Sequence, residues 1–175
     1  MERDHSGGAE EEDDREQMAR KLRQGRSRQS ANRGASLDSP LRESPSFLVR
    51  LAQLGAFDEF HRHFAGLGVT PARFSAFALI VTNPGVRPGV LSEELRVKPS
   101  NIAALVNALV ADGLVERQQD KSELRANQLR PTKAGTKAFQ EMWDIHCHLD
   151  KLLLEPLNAS ERKLFVTLMQ KIDRV

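Results

Sequence analysis

The fold turns on Arg87-Pro88-Gly89-Val90-Leu91-Ser92-Glu93-Glu94-Leu95-Arg96-Val97-Lys98-Pro99-Ser100-Asn101-Ile102-Ala103-Ala104-Leu105-Val106-Asn107-Ala108-Leu109-Val110-Ala111-Asp112-Gly113-Leu114-Val115-Glu116-Arg117. Arg87-Pro88 opens a short helix that carries Val90, Leu91 and Leu95. Val97-Lys98-Pro99-Ser100 is a tight break, and Pro99 suits the first position of a second helix. Ile102, Leu105, Val106 and Leu109 recur on one face of that helix. Asp112-Gly113 ends it, with glycine at the position that favours a left-handed backbone. The period then changes. Leu114 to Arg117 and Leu124 to Leu129 predict two short strands, and polar Gln118 to Ser122 between them predicts a hairpin tip.

Further helices lie on both sides. Ser44-Pro45 is a start signal, followed by Phe47, Leu51, Leu54, Phe57, His61 and Phe64 at three- and four-residue steps, ending near Gly66-Leu67-Gly68. Thr70-Pro71 repeats the signal, with Phe74, Phe77, Ala78 and Val81 on the apolar face and a stop before Pro84. After Pro131, Thr132 caps a long helix through Phe139, Met142, Ile145, His146, Leu149 and Leu153, which breaks near Pro156. Ser160 caps a last helix with Leu164, Phe165, Leu168 and Ile172. The expected chain is mainly α, with six helices and one small β-hairpin. Two short helices, a tight turn and a hairpin describe a winged helix-turn-helix. The second helix of such a pair fits the major groove of DNA, about 12 Å wide, with its first residues at base edges.

Composition bounds the rest. Residues 1–44 read as a disordered charged tail: Glu10, Glu11, Glu12, Asp13 and Asp14 form an acidic block, and a basic stretch from Arg15 to Arg33 follows. A solvated tail and a basic arm on DNA phosphates are both open readings. From Ser44 onward 17 Lys and Arg stand against 14 Asp and Glu, so placement of cations matters more than their number. The single cysteine, Cys147, excludes an intramolecular disulfide and fits a cytoplasmic location. No apolar run reaches the ~20 residues of a membrane span, and the N-terminus lacks the apolar core of a signal peptide. There is no glycine-rich phosphate loop, metal-ligand spacing or nucleophile–base pair, so no enzyme, cofactor or metal is expected.

Four stretches together resemble the MarR family of regulators. They are Val90 to Leu95, Lys98 to Ile102 with Leu105 to Leu109, Asp112 to Arg117, and Pro131-Thr132-Lys133-Ala134-Gly135. The resemblance spans roughly 45–175 and is strongest from Val90 to Gly135. The wing's usual Asp-x-Arg reads Glu123-Leu124-Arg125 here, and Pro131 stands where leucine is usual, which would end the second strand early. The resemblance implies a homodimer, with 45–69 and 136–175 as dimerisation helices and 70–135 as the DNA-binding lobe. It also implies a repressor on a pseudo-palindromic double-stranded operator, released by a small-molecule effector.

For DNA, the candidates are Lys98, Pro99, Ser100, Asn101, Ala103, Ala104 and Asn107 on the recognition helix, and Arg117, Lys121 and Arg125 on the wing. Arg87 and Lys133 are weaker phosphate candidates. Ser100 and Asn101 could instead cap the helix, and the wing arginines could form surface ion pairs. For the effector, the candidates are Arg50, Phe57, Phe60, His61, Phe64, Arg73, Phe77 and Trp143. A cation, Arg73, beside aromatic surface suits an aromatic carboxylate or acyl thioester. The alternatives are a core His61 and a solvated Arg73. A winged-helix interaction module without sequence-specific DNA binding is the competing function. Redox sensing through Cys147, and metal sensing through His61, His63, His146 and His148, are weaker alternatives.

Overall fold

The computed structural model describes residues 39–119 and 127–173. The expected disorder of 1–38 and most of the hairpin tip, with Lys121, Glu123 and Arg125, therefore lie outside the described residues. The chain divides into two units, 1–47 and 48–175. In the first, Pro40–Glu43 forms a 3-10 turn capped by Ser39, whose hydroxyl accepts from Leu41 N–H. A 3-10 turn thus stands inside the stretch 1–44 expected as a tail, because Ser39-Pro40 supplies a helix-start signal there too.

The helices are α1 (Pro45–Phe64), α2 (Pro71–Thr82), α3 (Pro88–Glu94), α4 (Pro99–Ala111), α5 (Lys133–Leu153) and α6 (Ala159–Asp173). Strands β1 (Val115–Gln119) and β2 (Asn127–Pro131) pair antiparallel, with Val115 opposite Pro131 and Gln119 opposite Asn127. Proline sits in the first turn of four of these helices, where its missing N–H costs nothing. Gly68 and Gly113 take φ of +61° and +70°, closing α1's 3-10 extension and α4. Two boundaries differ from expectation. The described part of the second strand, Asn127–Pro131, runs past the expected end at Leu129, and residues 124–126 of the expected strand lie outside the described residues. The last helix is capped by Asn158, not Ser160: Asn158 Oδ1 accepts from Ser160 and Glu161 N–H, and Glu161 Oε2 accepts from Asn158 N–H. That reciprocal box satisfies three otherwise orphaned donors.

The core is one cluster. Phe64, Phe74, Phe77, Ile80, Leu91, Ile102, Val106, Leu109, Val115, Leu129, Met142 and Leu149 are buried together. They are the apolar faces of α1 to α5 and the inward residues of the hairpin. Sequence periodicity missed one connection. Val86 bridges Leu129, with Leu129 N–H on Val86 O (3.0 Å) and Gly85 N–H on Leu129 O (2.7 Å), so the hairpin gains a third, one-residue strand. A single bridging residue has no period to detect.

The wing is clamped to α5. Thr132 N–H donates to Leu114 O (3.0 Å), and its hydroxyl donates to Gly113 O (2.7 Å) while accepting from Gly135 N–H (2.9 Å). Gly135 is buried, and a Cβ there would stand 1.9 Å from Leu114 O. The Asp-Gly-Leu and Thr-x-x-Gly motifs are therefore two halves of one contact. No single described helix is long and apolar enough to cross a membrane.

Candidate nucleic-acid interface and effector cavity

The turn between α3 and α4 is held by its own atoms. Ser92 Oγ donates to Val97 O (2.6 Å) and Val97 N–H donates to Ser92 O (3.1 Å). Arg96 sits between them at φ +50°, the left-handed conformation that ends a helix abruptly. Its guanidinium reaches the end of α6, donating to Asp173 O (2.6 Å). From this turn α4 projects with Ile102, Val106 and Leu109 buried. Lys98, Pro99, Ser100, Asn101, Ala103, Ala104 and Asn107 are all exposed.

The capping alternative for Ser100 and Asn101 does not fit. The N-cap is Lys98 and no side chain caps this helix. Neither the Ser100 nor the Asn101 side chain has a hydrogen-bond partner among the described residues, so both side chains are available to a ligand. The first turn carries no acidic residue, and the positive end of the helix dipole lies there, which suits phosphate. Arg117 on β1 donates through Nη2 to Asn107 Oδ1 (2.6 Å), which ties the wing's first strand to α4. Two sequence candidates thus meet each other, and the pair orients the guanidinium on the same side as the α4 face. Gln128 and Arg130 Nη2 lie against Gly85, filling the space below the wing.

The effector candidates separate. A cavity of about 180 Å³ opens between α1, α2 and α5, lined by Ala56, Phe57, Phe60, Phe74, His146 and Leu149 with Glu59, Ser75 and Asp150 at its polar margin. Phe57 and Phe60 are the sequence candidates that line it. Phe64 stacks behind Phe60 with centroids 4.0 Å apart, and Phe77 is buried against Phe139 in the core. Trp143 stacks on Phe74 at 6.4 Å and lies 5.3 Å from His146, one residue removed from the lining. Arg50 and His61 are exposed and do not line the cavity.

Arg73 is also elsewhere, and here the expected cation is corrected. Its Nη2 donates to Ala108 O (3.3 Å) and pairs with Asp112, the C-cap of α4. Thr70-Pro71 starts α2 so that its third residue faces the carbonyl end of α4, where a cation is favoured by both the helix dipole and the carboxylate. Arg73 is neither solvated nor a wall of the cavity; it joins α2 to the recognition helix. Sequence reading missed Phe74, His146 and Asp150 as lining residues. Phe74 and His146 stand on apolar stripes, and a stripe does not reveal which of its members borders a void.

His63 and His148 approach edge to face, with 5.9 Å between ring centroids, across α1 and α5. His63 Nδ1 is already engaged, 2.9 Å from Glu59 O. Among the described residues no three His, Cys, Asp or Glu converge as a metal site. Cys147 is partly buried on α5.

The model of the MarR family matches residues 67–126. A transcriptional regulatory protein for the hcr operon of Thauera aromatica is 28% identical over 129 residues, covering 73% of this chain and 78% of the relative. The HTH-type transcriptional regulator BilQ of Clostridium symbiosum is 30% identical over 94 residues, covering 51% and 65%. Among solved structures, the transcriptional repressor CouR bound to a 23-mer DNA duplex is 26% identical with a TM-score of 0.74, covering 79% of this chain and 99% of that one. PcaV of Streptomyces coelicolor, in complex with its natural ligand, shares the fold at 22% identity and a TM-score of 0.67, covering 81% and 98%.

Proposed function

We propose that this chain is a winged helix-turn-helix transcription regulator of the MarR family, whose model residues 67–126 match, and that it works as a homodimeric repressor, released from a pseudo-palindromic operator by a small-molecule effector. The chain is a regulator and not an enzyme. The observation that carries the proposal is the exposed face of α4. Lys98, Ser100, Asn101, Ala103, Ala104 and Asn107 face outward without intramolecular duties, apart from the Asn107–Arg117 pair, while the opposite face anchors the helix in the core. Asn at the third position of such a helix can bond adenine bidentately, alanines can meet thymine methyls, and Lys98 can meet phosphate. In this reading Lys121 and Arg125 extend the contact from the wing.

Dimerisation is supported by apolar surface that the single chain leaves uncovered. On α6, Leu164, Phe165, Val166, Leu168 and Ile172 are all exposed and no residue is buried; on α1, Leu48, Leu51, Leu54 and Phe57 are exposed. Full burial of one such side chain contributes about 1.5–3 kcal/mol. A stripe of this extent on two helices marks an association surface. A second copy would place two recognition helices about one helical turn of DNA apart. A cytoplasmic location belongs to the same proposal.

The effector reading is supported by the cavity, which touches α1, α2 and α5. A ligand there acts only by discriminating between two spacings of the recognition helices. The aromatic carboxylate or acyl thioester suggested by the sequence depended on Arg73, whose guanidinium is committed to Asp112.

The test is a gel shift with the chain's own upstream DNA at stated salt, against scrambled competitor. Tight binding that the scrambled DNA does not displace is expected. Equal displacement by both competitors overturns the proposal in favour of the interaction module.

A further inference from the structure

The margin of the cavity between α1, α2 and α5 carries charge of one sign. Glu59 and Asp150 contribute carboxylates, and no Lys or Arg is among the lining residues. Arg62 already answers Glu59, with Nη2–Oε1 at 2.6 Å. Among the described residues the Asp150 carboxylate, about 61% exposed, meets only His146 Nε2, 3.7 Å from its Oδ2 and beyond hydrogen-bond range. The other His146 nitrogen, Nδ1, is buried without a partner among the described residues. The walls are the rings of Phe57, Phe60 and Phe74, and aromatic faces are themselves the negative end of a quadrupole.

Each of these features favours the same ligand chemistry. A carboxylate would lie beside the Asp150 carboxylate and three aromatic rings, and no lysine or arginine lines the cavity to answer it. An ammonium would gain Asp150 and the rings together. The volume of about 180 Å³ slightly exceeds the roughly 150 Å³ cavity that admits benzene, so one ring with a short substituent fits.

We propose that this cavity binds a small aromatic or lipophilic amine as its cation, with Asp150 as the counter-ion and Phe57, Phe60 and Phe74 as the walls. The inference rests on reading the cavity as the effector site.

Trp143 is the sole tryptophan and lies 5.3 Å from His146, so its fluorescence reports occupancy. The experiment titrates the full chain at pH 7 with benzylamine, benzyl alcohol and benzoate, which share one ring and differ in charge. Benzylamine is expected to bind about tenfold or more tightly than benzoate, with the alcohol between them. Asp150→Asn is expected to abolish the preference of amine over alcohol and to leave alcohol binding unchanged. Asp144→Asn, on the same helix but outside the lining, should leave the preference intact. Benzoate binding as tightly as benzylamine overturns the inference, as does the absence of binding by all three. Loss of the preference in Asp144→Asn also overturns it, because the selectivity would then be diffuse. A parallel operator gel shift separates the two readings. The predicted order without any change in operator affinity sinks the effector function and leaves the cavity's selectivity standing. Release by benzoate alone does the reverse.

Discussion

Replacing Gly135 with alanine tests the clamp between wing and α5. The new Cβ would stand 1.9 Å from Leu114 O, 2.8 Å from its carbonyl carbon and 3.2 Å from its Cα. An ordinary carbon–oxygen contact needs about 3.3 Å, so the two backbones must part by more than ~1 Å. No flexible side chain is available to yield. That separation breaks the Thr132 N–H bond to Leu114 O and the Thr132 hydroxyl bond to Gly113 O, now 3.0 and 2.7 Å. Two such hydrogen bonds contribute about 2–3 kcal/mol. Overpacking adds about 1–3 kcal/mol, and alanine's better helix propensity offsets about 1 kcal/mol. The expected loss is about 2–5 kcal/mol. It is to be measured by urea unfolding at fixed chain concentration, because an associating chain's stability depends on concentration. Gly89→Ala is the matched control. It lies in α3 with nothing within 4 Å of the added Cβ, and alanine there should be neutral or stabilising by up to ~1 kcal/mol. If Gly135→Ala unfolds within about 0.5 kcal/mol of the parent, the clamp is not rigid and the argument fails.

Arg73→Met should cost about 1 kcal/mol of stability, since the charge-assisted bonds it loses face a half-exposed Asp112. Operator affinity should fall with it as α4 loosens; parent-like unfolding and binding would refute the tether. Asn101→Ala should relax base preference at one position per half-site by about 1–3 kcal/mol in a binding-site selection, with melting unchanged because the side chain is exposed. Arg125→Ala should weaken operator binding nearly uniformly across sequences and lower the salt slope by about 1 in titrations at several ionic strengths. Leu164→Ser with Leu168→Ser should shift the sedimentation profile toward single chains at micromolar concentration, and an unchanged dimer would move the interface off α6.

The local chemistry of this chain was readable at the level of elements. Four Pro starts, two glycines at positive φ and the change from a helical to an alternating period placed six helices and a hairpin within a few residues of where they stand. The outward face of α4 followed from the same periodicity, because burying Ile102, Val106 and Leu109 leaves Ser100, Asn101, Ala103, Ala104 and Asn107 outside. The errors at the end of β2 and at the Asn158 cap are errors of ends, where one hydrogen bond decides and periodicity is silent.

Tertiary structure alone decided the partnerships. Arg73 reads identically in sequence whether it faces a ligand or Asp112, since the two residues are 39 apart and only the packing of α2 against α4 brings them together. Gly135 looks like a weak helix residue until Leu114 O is seen where its side chain would be. The acidic residues of the cavity likewise come from two helices, Glu59 on α1 and Asp150 on α5, and their own neighbours in sequence say nothing of the void. Periodicity records which face of an element is apolar, a property of the element by itself. Which distant group meets a given side chain depends on how the elements pack, and that information is carried by no single stretch of the chain.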